Sequence, residues 1–155
     1  DPGLLIDELE DRTFPRAAER VCAAAVARLE ALPPAQTARN ARERAATVAD
    51  SNEILGAMLD DLEPLVPAGP QVEGRRLTDE EREQRSISNG VKEWLGDWRA
   101  YLQDREEYAD RLMTDDEARF LESPKSGTNR QISSAIDAFA EVNRMSSCTT
   151  PGDVS

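Results

Sequence analysis

The chain has 155 residues, which is a typical length for one domain. Its 31 acidic and 19 basic residues give a net charge of −12, so the phosphates of nucleic acid would be repelled. Histidine is absent, which removes the commonest catalytic base and transition-metal ligand. No apolar run is long enough to span a membrane.

The N-terminal residues 1–13 mix apolar and acidic side chains. We expect them to form a tether that follows a missing anchor, because the opening Asp-Pro-Gly looks like a cut end. The first helix is predicted over 14–31, with Thr13 as its cap and a proline in its first turn. Pro33 and Pro34 end it, because the residue before a proline is pushed out of helical geometry.

A second helix is predicted over 38–63. Its apolar residues recur at alternating spacings of four and three, which is typical of a bundle seam with one polar member, Asn52. The seam consists of Ala41, Ala45, Val48, Asn52, Leu55, Leu59 and Leu62. Three prolines and two glycines then predict a loop over 64–76.

The third helix is the longest, running from Thr78 to about Met113. Thr78 and Glu81 form a capping box, in which each side chain accepts from a backbone N–H at the helix start. The predicted inward face combines apolar and aromatic residues with one arginine. It comprises Ile87, Val91, Trp94, Leu95, Trp98, Tyr101, Leu102, Arg105, Tyr108 and Leu112.

Two further helices complete the prediction. Thr114 and Glu117 repeat the capping-box pattern, which predicts a short helix over 115–122. The fourth main helix is predicted over 129–145, and no strand pattern is present. The sequence therefore predicts an all-α fold, an antiparallel up-down-up-down four-helix bundle with a long third helix and a short extra helix before the fourth.

The chain has two cysteines, Cys22 and Cys148. An up-down-up-down order brings the start of the first helix beside the end of the fourth, so we predict a disulfide between them. The alternative is a pair of buried, reduced thiols. With the bridge, residues 14–148 form one domain outside the reducing cytosol, and 149–155 form a C-terminal tail.

The aromatic stripe on the third helix has two interpretations. It fills the core, or it lines a pocket in which an arginine recognises a small anion. The candidate ligand-binding residues are Asn52, Trp94, Trp98, Tyr101, Arg105 and Tyr108. In the core interpretation Arg105 requires a carboxylate partner, since an unpaired buried charge is costly, and Asp137 or Glu141 on the fourth helix is suitably placed.

Acidic runs over 60–63, 104–110 and 115–117 are the candidates for acid–base or metal chemistry. No calcium-loop or nucleophile motif accompanies them, so we interpret them as solvated helix faces. The sequence accordingly predicts no catalytic residue, metal site or cofactor.

Three segments are the clearest part of a resemblance that extends over most of the chain: AAERVCAAAVARLEALPP (17–34), VKEWLGDWRAYLQDREEYADRL (91–112) and AIDAFAEVNRMSSCTTPGDV (135–154). They resemble an uncharacterised group of actinobacterial proteins, in which a transmembrane helix or a lipoprotein-type anchor precedes an extracytoplasmic helical domain. The resemblance implies export, an anchor outside this chain and a Cys22–Cys148 bridge. It implies no activity.

We therefore expect an extracytoplasmic domain, tethered to the cell membrane or secreted. Its expected role is that of a non-catalytic binding or interaction module at the cell envelope, with a protein or small-molecule partner. The alternative is a small-ligand sensor with an aromatic and arginine pocket between helices. A carboxylate-based metalloenzyme or hydrolase is a third possibility and requires several inward carboxylates that meet at one point.

Overall fold

The structure is a computed structural model, and it describes residues 8–154. Within that range the chain folds into α1 (Thr13–Glu30), α2 (Ala41–Leu62), α3 (Asp79–Leu112) and α4 (Ile132–Val142). Short 3₁₀ turns lie at Ala35–Thr37, Glu63–Leu65 and Ser146–Cys148. The all-α prediction is confirmed for the described residues, which contain no strand and a single isolated bridge. None of their helices is both long and apolar enough to cross a bilayer.

The capping box at the start of α3 is present as predicted. The Glu81 N–H donates to Thr78 Oγ1 at 3.1 Å, and the Thr78 N–H donates to Glu81 Oε1 at 2.9 Å. The predicted Thr13 cap of α1 is wrong, because Thr13 is already helical and its own N–H donates to Asp11 Oδ1. The carboxylate of Asp11, just before the helix, accepts the N–H at its start, whereas the sequence predicted that the Thr13 hydroxyl would act as the cap.

The predicted short helix over 115–122 is wrong, because this stretch has a turn at 116–117 and irregular structure from 118 to 122. The Glu117 N–H donates to the Asp115 carboxylate instead of closing a capping box with Thr114. The end of the stretch instead contacts α4, because the Ser133 N–H at the start of that helix donates to Glu122 Oε1. Tertiary contacts have overridden the local helix signal.

The fourth helix begins and ends inside its predicted range of 129–145. Its end is set by Arg144, whose φ of 58° is in the left-handed region. The N–H of Met145 donates to the carbonyl of Ala140 at 2.8 Å, and that of Arg144 donates to Glu141. This is a Schellman stop, and it turns the chain back toward α1.

The aromatic stripe of α3 lies in the core. Its four rings are almost fully buried, and each contacts at least one further ring from α3, α1, α4 or the connection between α3 and α4. Trp94 stacks on Phe139 at 5.3 Å and meets the edge of Phe14, while Phe120 meets both tyrosines. The stripe therefore joins α3 to its neighbours.

The predicted disulfide is present. Cys22 and Cys148 are bonded, with their Cα atoms 5.1 Å apart, and both side chains are fully buried. The 3₁₀ turn that holds Cys148 packs against α1, and the Ser147 N–H donates to Glu19 Oε1 at 2.8 Å. A covalent bond thus fixes the C-terminal segment to the first helix.

Both ends of the described chain pack onto the bundle. The Leu9 N–H donates to Asn143 Oδ1 at 2.8 Å, and the Arg12 guanidinium donates to the Asn143 carbonyl. At the other end, Val154 is buried beside Val48. The predicted tether therefore includes packed residues from Leu9 onward, and its first seven residues lie outside the described range.

Candidate ligand-binding cavity

A partly enclosed cavity of about 520 Å³ lies between α1, α2 and the C-terminal segment. This volume is within the range of known small-molecule sites. One face of α2 supplies the longest wall, and the end of α1 with its proline turn supplies the second. The residues from 146 to 153 that follow α4 supply the third wall, and the disulfide holds this segment in place.

Most of the cavity surface is apolar, but it contains one cation without a partner. Arg44 on α2 is half-buried, and its Nε is buried without a hydrogen-bond acceptor. No ion pair or side-chain hydrogen bond of Arg44 is present among the described residues. A cation in a partly desolvated wall is stabilised by an anionic or strongly polar acceptor.

Trp98 is the one member of the predicted aromatic pocket that lines this cavity. Its side chain is fully buried, and its indole N–H has no acceptor among the described residues. Because that nitrogen is shielded from solvent, the ring contributes carbon to the wall. Trp98 also meets the edge of Tyr101, with ring centroids 5.7 Å apart.

Arg105 does not line the cavity but lies behind its wall. Its Nε donates to Asn52 Oδ1 at 2.8 Å, and its terminal nitrogens donate to Ser51 Oγ at 2.6 Å and to both carboxylate oxygens of Asp153 at 2.7 and 3.0 Å. Ser51 and Asp153 are themselves wall residues. Arg105 therefore joins α3 to α2 and to the C-terminal segment, and it holds two wall residues in position.

The predicted partner of Arg105 is wrong. The carboxylate is Asp153, in the segment predicted to be a free tail, and neither Asp137 nor Glu141 contacts the guanidinium. Asp137 instead accepts from the N–H and the hydroxyl of Thr150, at 2.7 and 3.0 Å. Arg105 of α3 and Asp137 of α4 thus hold the same C-terminal segment, through Asp153 and Thr150.

The Arg105–Asp153 pair shifts both pKa values toward the charged forms. Burial alone would raise the pKa of Asp153, but the hydrogen bonds and charge of Arg105 outweigh it and lower the pKa below the ordinary 3.8. Burial alone would lower the pKa of Arg105, and Asp153 raises it above its ordinary value. Both groups are therefore ionised at neutral pH.

The other predicted ligand-binding residues are dispersed. The Trp94 indole N–H donates to the Ile136 carbonyl at 3.1 Å, and this ring borders a wider groove on another face of the molecule. The Tyr101 hydroxyl donates to the Pro151 carbonyl at 3.4 Å, and Tyr108 packs in a separate small cluster with Val48. Asn52 and Arg105 are in direct contact, but the six residues do not surround one pocket.

The carboxylates predicted as alternatives for chemistry are also separate. Asp104 is buried and accepts from the N–H and hydroxyl of Ser123, at 2.7 and 2.9 Å. Asp137 bonds Thr150, as described above, and Asp110 is exposed. Among residues 8–154, no group of three or more potential ligands is arranged to hold a metal ion.

Sequence reasoning did not identify Arg44, Ser51 or Asp153 as members of a site. Arg44 and Ser51 follow the same helical face as the predicted seam residues Val48 and Leu55, so the periodicity of α2 contained a signal for them. Asp153 gave no such signal, because its position depends on the turn after α4 and on the disulfide.

The disulfide indicates an oxidising compartment outside the reducing cytosol. Comparison of the chain with protein-family models, with curated proteins and with solved structures finds no match in any of the three.

Proposed function

We propose that this protein is an extracytoplasmic binding domain that takes a small molecule into the cavity between α1, α2 and the C-terminal segment. The observation that supports the proposal most directly is the partnerless Arg44 in the wall of a cavity of ligand size. The role is binding without chemistry, at the cell envelope. The sequence placed the pocket of a small-ligand sensor at the aromatic stripe of α3. In this proposal the pocket is the cavity along α2 instead.

The helices follow an up-down-up-down order, which is supported by the packing of α2 against both α1 and α3. The domain is tethered to the outer face of a cell membrane or secreted. The disulfide supports a place outside the reducing cytosol, and the tether is the expectation that follows from the resemblance. Intact mass with and without reductant on protein from its native compartment tests the location, because the bridged form is lighter by two hydrogens.

A ligand screen with a blocked variant tests the binding site. Thr47 lines the cavity, so Thr47→Trp should fill it, while Ala46→Trp places the same ring on the exposed side of α2 as a matched control. A true ligand at one hundred times its Kd should stabilise the wild type by about 2.7 kcal/mol, or about 5–10 °C in Tm. The Ala46→Trp control should respond equally, and Thr47→Trp should not.

Two results would contradict binding in this cavity. If every compound that raises the Tm of the wild type raises that of Thr47→Trp equally, the cavity is not the binding site. If a metabolite library of broad chemistry gives no shift with the wild type, the small-ligand function is wrong.

A protein partner is the second candidate, and a wider groove of about 970 Å³ favours it. Side chains of both charges border this groove, among them the exposed Arg82, Glu83 and Arg85. Such a mixed surface suits a peptide segment that carries both charges. Arg85→Glu should weaken capture of an envelope partner in cross-linking, and equal capture by the variant would exclude this groove.

A further inference from the structure

We infer that the ligand of the cavity is an organic acid with an elongated apolar body, whose carboxylate pairs with Arg44. This inference rests on the proposed function and names the chemical class of the ligand. Three observations support it: the shape of the α2 wall, the positive charge of Arg44 at one end of that wall, and the hydrogen bonds within the C-terminal segment.

The α2 wall is a long, narrow stripe. Its members follow one another at helical spacings of one, three and four, so they share one face: Arg44, Thr47, Val48, Ser51, Leu55 and Met58. From the first to the last, the helix rises about 21 Å. The stripe is mainly apolar beyond Arg44, and Val26 and Leu29 of α1 add apolar surface opposite it.

The charges around the cavity leave Arg44 as the group that lacks a counterion. Asp153 is already paired with Arg105, through two hydrogen bonds. Glu30, the other carboxylate of the wall, is exposed and forms no ion pair with Arg44. In a chain with 31 acidic and 19 basic residues, the half-buried Arg44, whose Nε has no acceptor, favours pairing with the carboxylate of a ligand.

The C-terminal wall offers little to a second polar group. The Thr149 hydroxyl donates to the Ser146 carbonyl, and the Thr150 hydroxyl and N–H both bind Asp137. The Ser147 N–H is used by Glu19. Since these donors are satisfied within the protein, the hydroxyls of Ser146 and Ser147 are the side-chain donors that this wall still offers. Most of the ligand body therefore has to be apolar to avoid losing its own hydrogen bonds to water.

Three straight-chain probes of equal length test the class: decanoate, decanol and decylammonium, measured by isothermal titration calorimetry on the oxidised protein. Decanoate should bind the wild type roughly tenfold to a hundredfold more tightly than the other two, because a hydrogen-bonded charge contributes on this scale. Arg44→Gln should reduce decanoate affinity by a similar factor and leave decanol unchanged. Arg44→Lys should be intermediate, because it keeps the charge and loses the paired N–H groups.

The matched control is Arg42→Gln, which removes an exposed arginine of the same helix that does not line the cavity. It should bind decanoate as the wild type does. If Arg42→Gln and Arg44→Gln lose decanoate affinity equally, the effect comes from the overall charge of the protein and not from pairing with Arg44. That result would overturn the inference. So would decanol or decylammonium binding as tightly as decanoate, or no binding of any probe. These outcomes concern ligand class alone, whereas the proposed function depends on the library screen with Thr47→Trp.

Discussion

Removal of the Cys22–Cys148 bridge should cost this protein a large part of its stability. The bond joins residues 126 positions apart. In the chain-entropy model, closing a loop of that length removes about 16 cal/mol/K from the unfolded state, which is about 5 kcal/mol at 25 °C. Since domains are stable by only about 5–15 kcal/mol, the double variant Cys22→Ala/Cys148→Ala should be marginal.

Urea unfolding followed by circular dichroism measures the loss. We expect the midpoint of the double variant to fall sharply and its Tm to drop by about 10–20 °C, given about 2–4 °C per kcal/mol for a domain of this size. The wild type in reductant should unfold at nearly the same urea concentration, because it lacks the same covalent link. That control separates chain entropy from the small packing loss of replacing two buried sulfurs.

A large entropic contribution of the bridge is excluded if the double variant and the reduced wild type both lose less than about 1 kcal/mol of stability, far below the value for so long a loop. Such a result would mean that the unfolded chain already keeps these two segments together. It would also remove the stability argument for the bridge while leaving its evidence for an oxidising compartment intact.

Three further changes have defined outcomes. Arg144→Gly should stabilise the protein by about 0.5–1 kcal/mol in urea unfolding, because glycine adopts the positive φ of this position without strain. Thr78→Ala should destabilise it by about 1 kcal/mol, because the N–H of Glu81 loses its acceptor. Asp153→Asn should cost about 1–3 kcal/mol at pH 7, because Arg105 loses its counterion. Because the folded pKa of Asp153 is below 3.8, the wild-type advantage should be present above about pH 4 and be lost as the pH falls through the folded value.

Each of these predictions has a control. Arg144→Ala keeps the left-handed strain, so a gain equal to that of Arg144→Gly would exclude backbone strain as the cause. Thr114→Ala removes an exposed threonine whose hydroxyl caps no helix, and an equal loss there would show that capping is not responsible for the Thr78 effect. For Asp153→Asn, a stability difference from the wild type that is the same at pH 7 and pH 3 would contradict the ion-pair assignment.

Local signals predicted much of the fold. The capping box of Thr78 and Glu81 depends on residues three apart, and the seam of α2 depends on a repeat along one helix, so both are readable from the sequence. The same capping pattern failed at Thr114, because Asp115 binds the Glu117 N–H and Phe120 packs against two tyrosines of α3. The hydrogen bond of Asp115 is local and the packing of Phe120 is long-range, and the capping-box pattern contains neither.

The candidate site was harder to predict than the fold. Periodicity placed Arg105 on the inward face of α3, but the choice of Asp153 over Asp137 depends on a reversal of the chain at Arg144. The position of Arg44 on the face of α2 was readable, whereas its lack of a counterion is a property of the whole packed molecule. When a site combines a helix face with a segment that is distant in sequence, helical periodicity predicts the residues of the helix face. It does not predict those of the distant segment.

The bridge also determines how the domain would respond to mechanical load. If residues 8 and 154 were pulled apart, the tension would pass from α1 to the C-terminal segment through the sulfur–sulfur bond. Only about 20 residues outside the covalent ring could then extend, to about 70 Å, whereas the same chain without the bond would extend to about 500 Å. The segment between the two cysteines, which includes α2, α3 and α4, would carry no force.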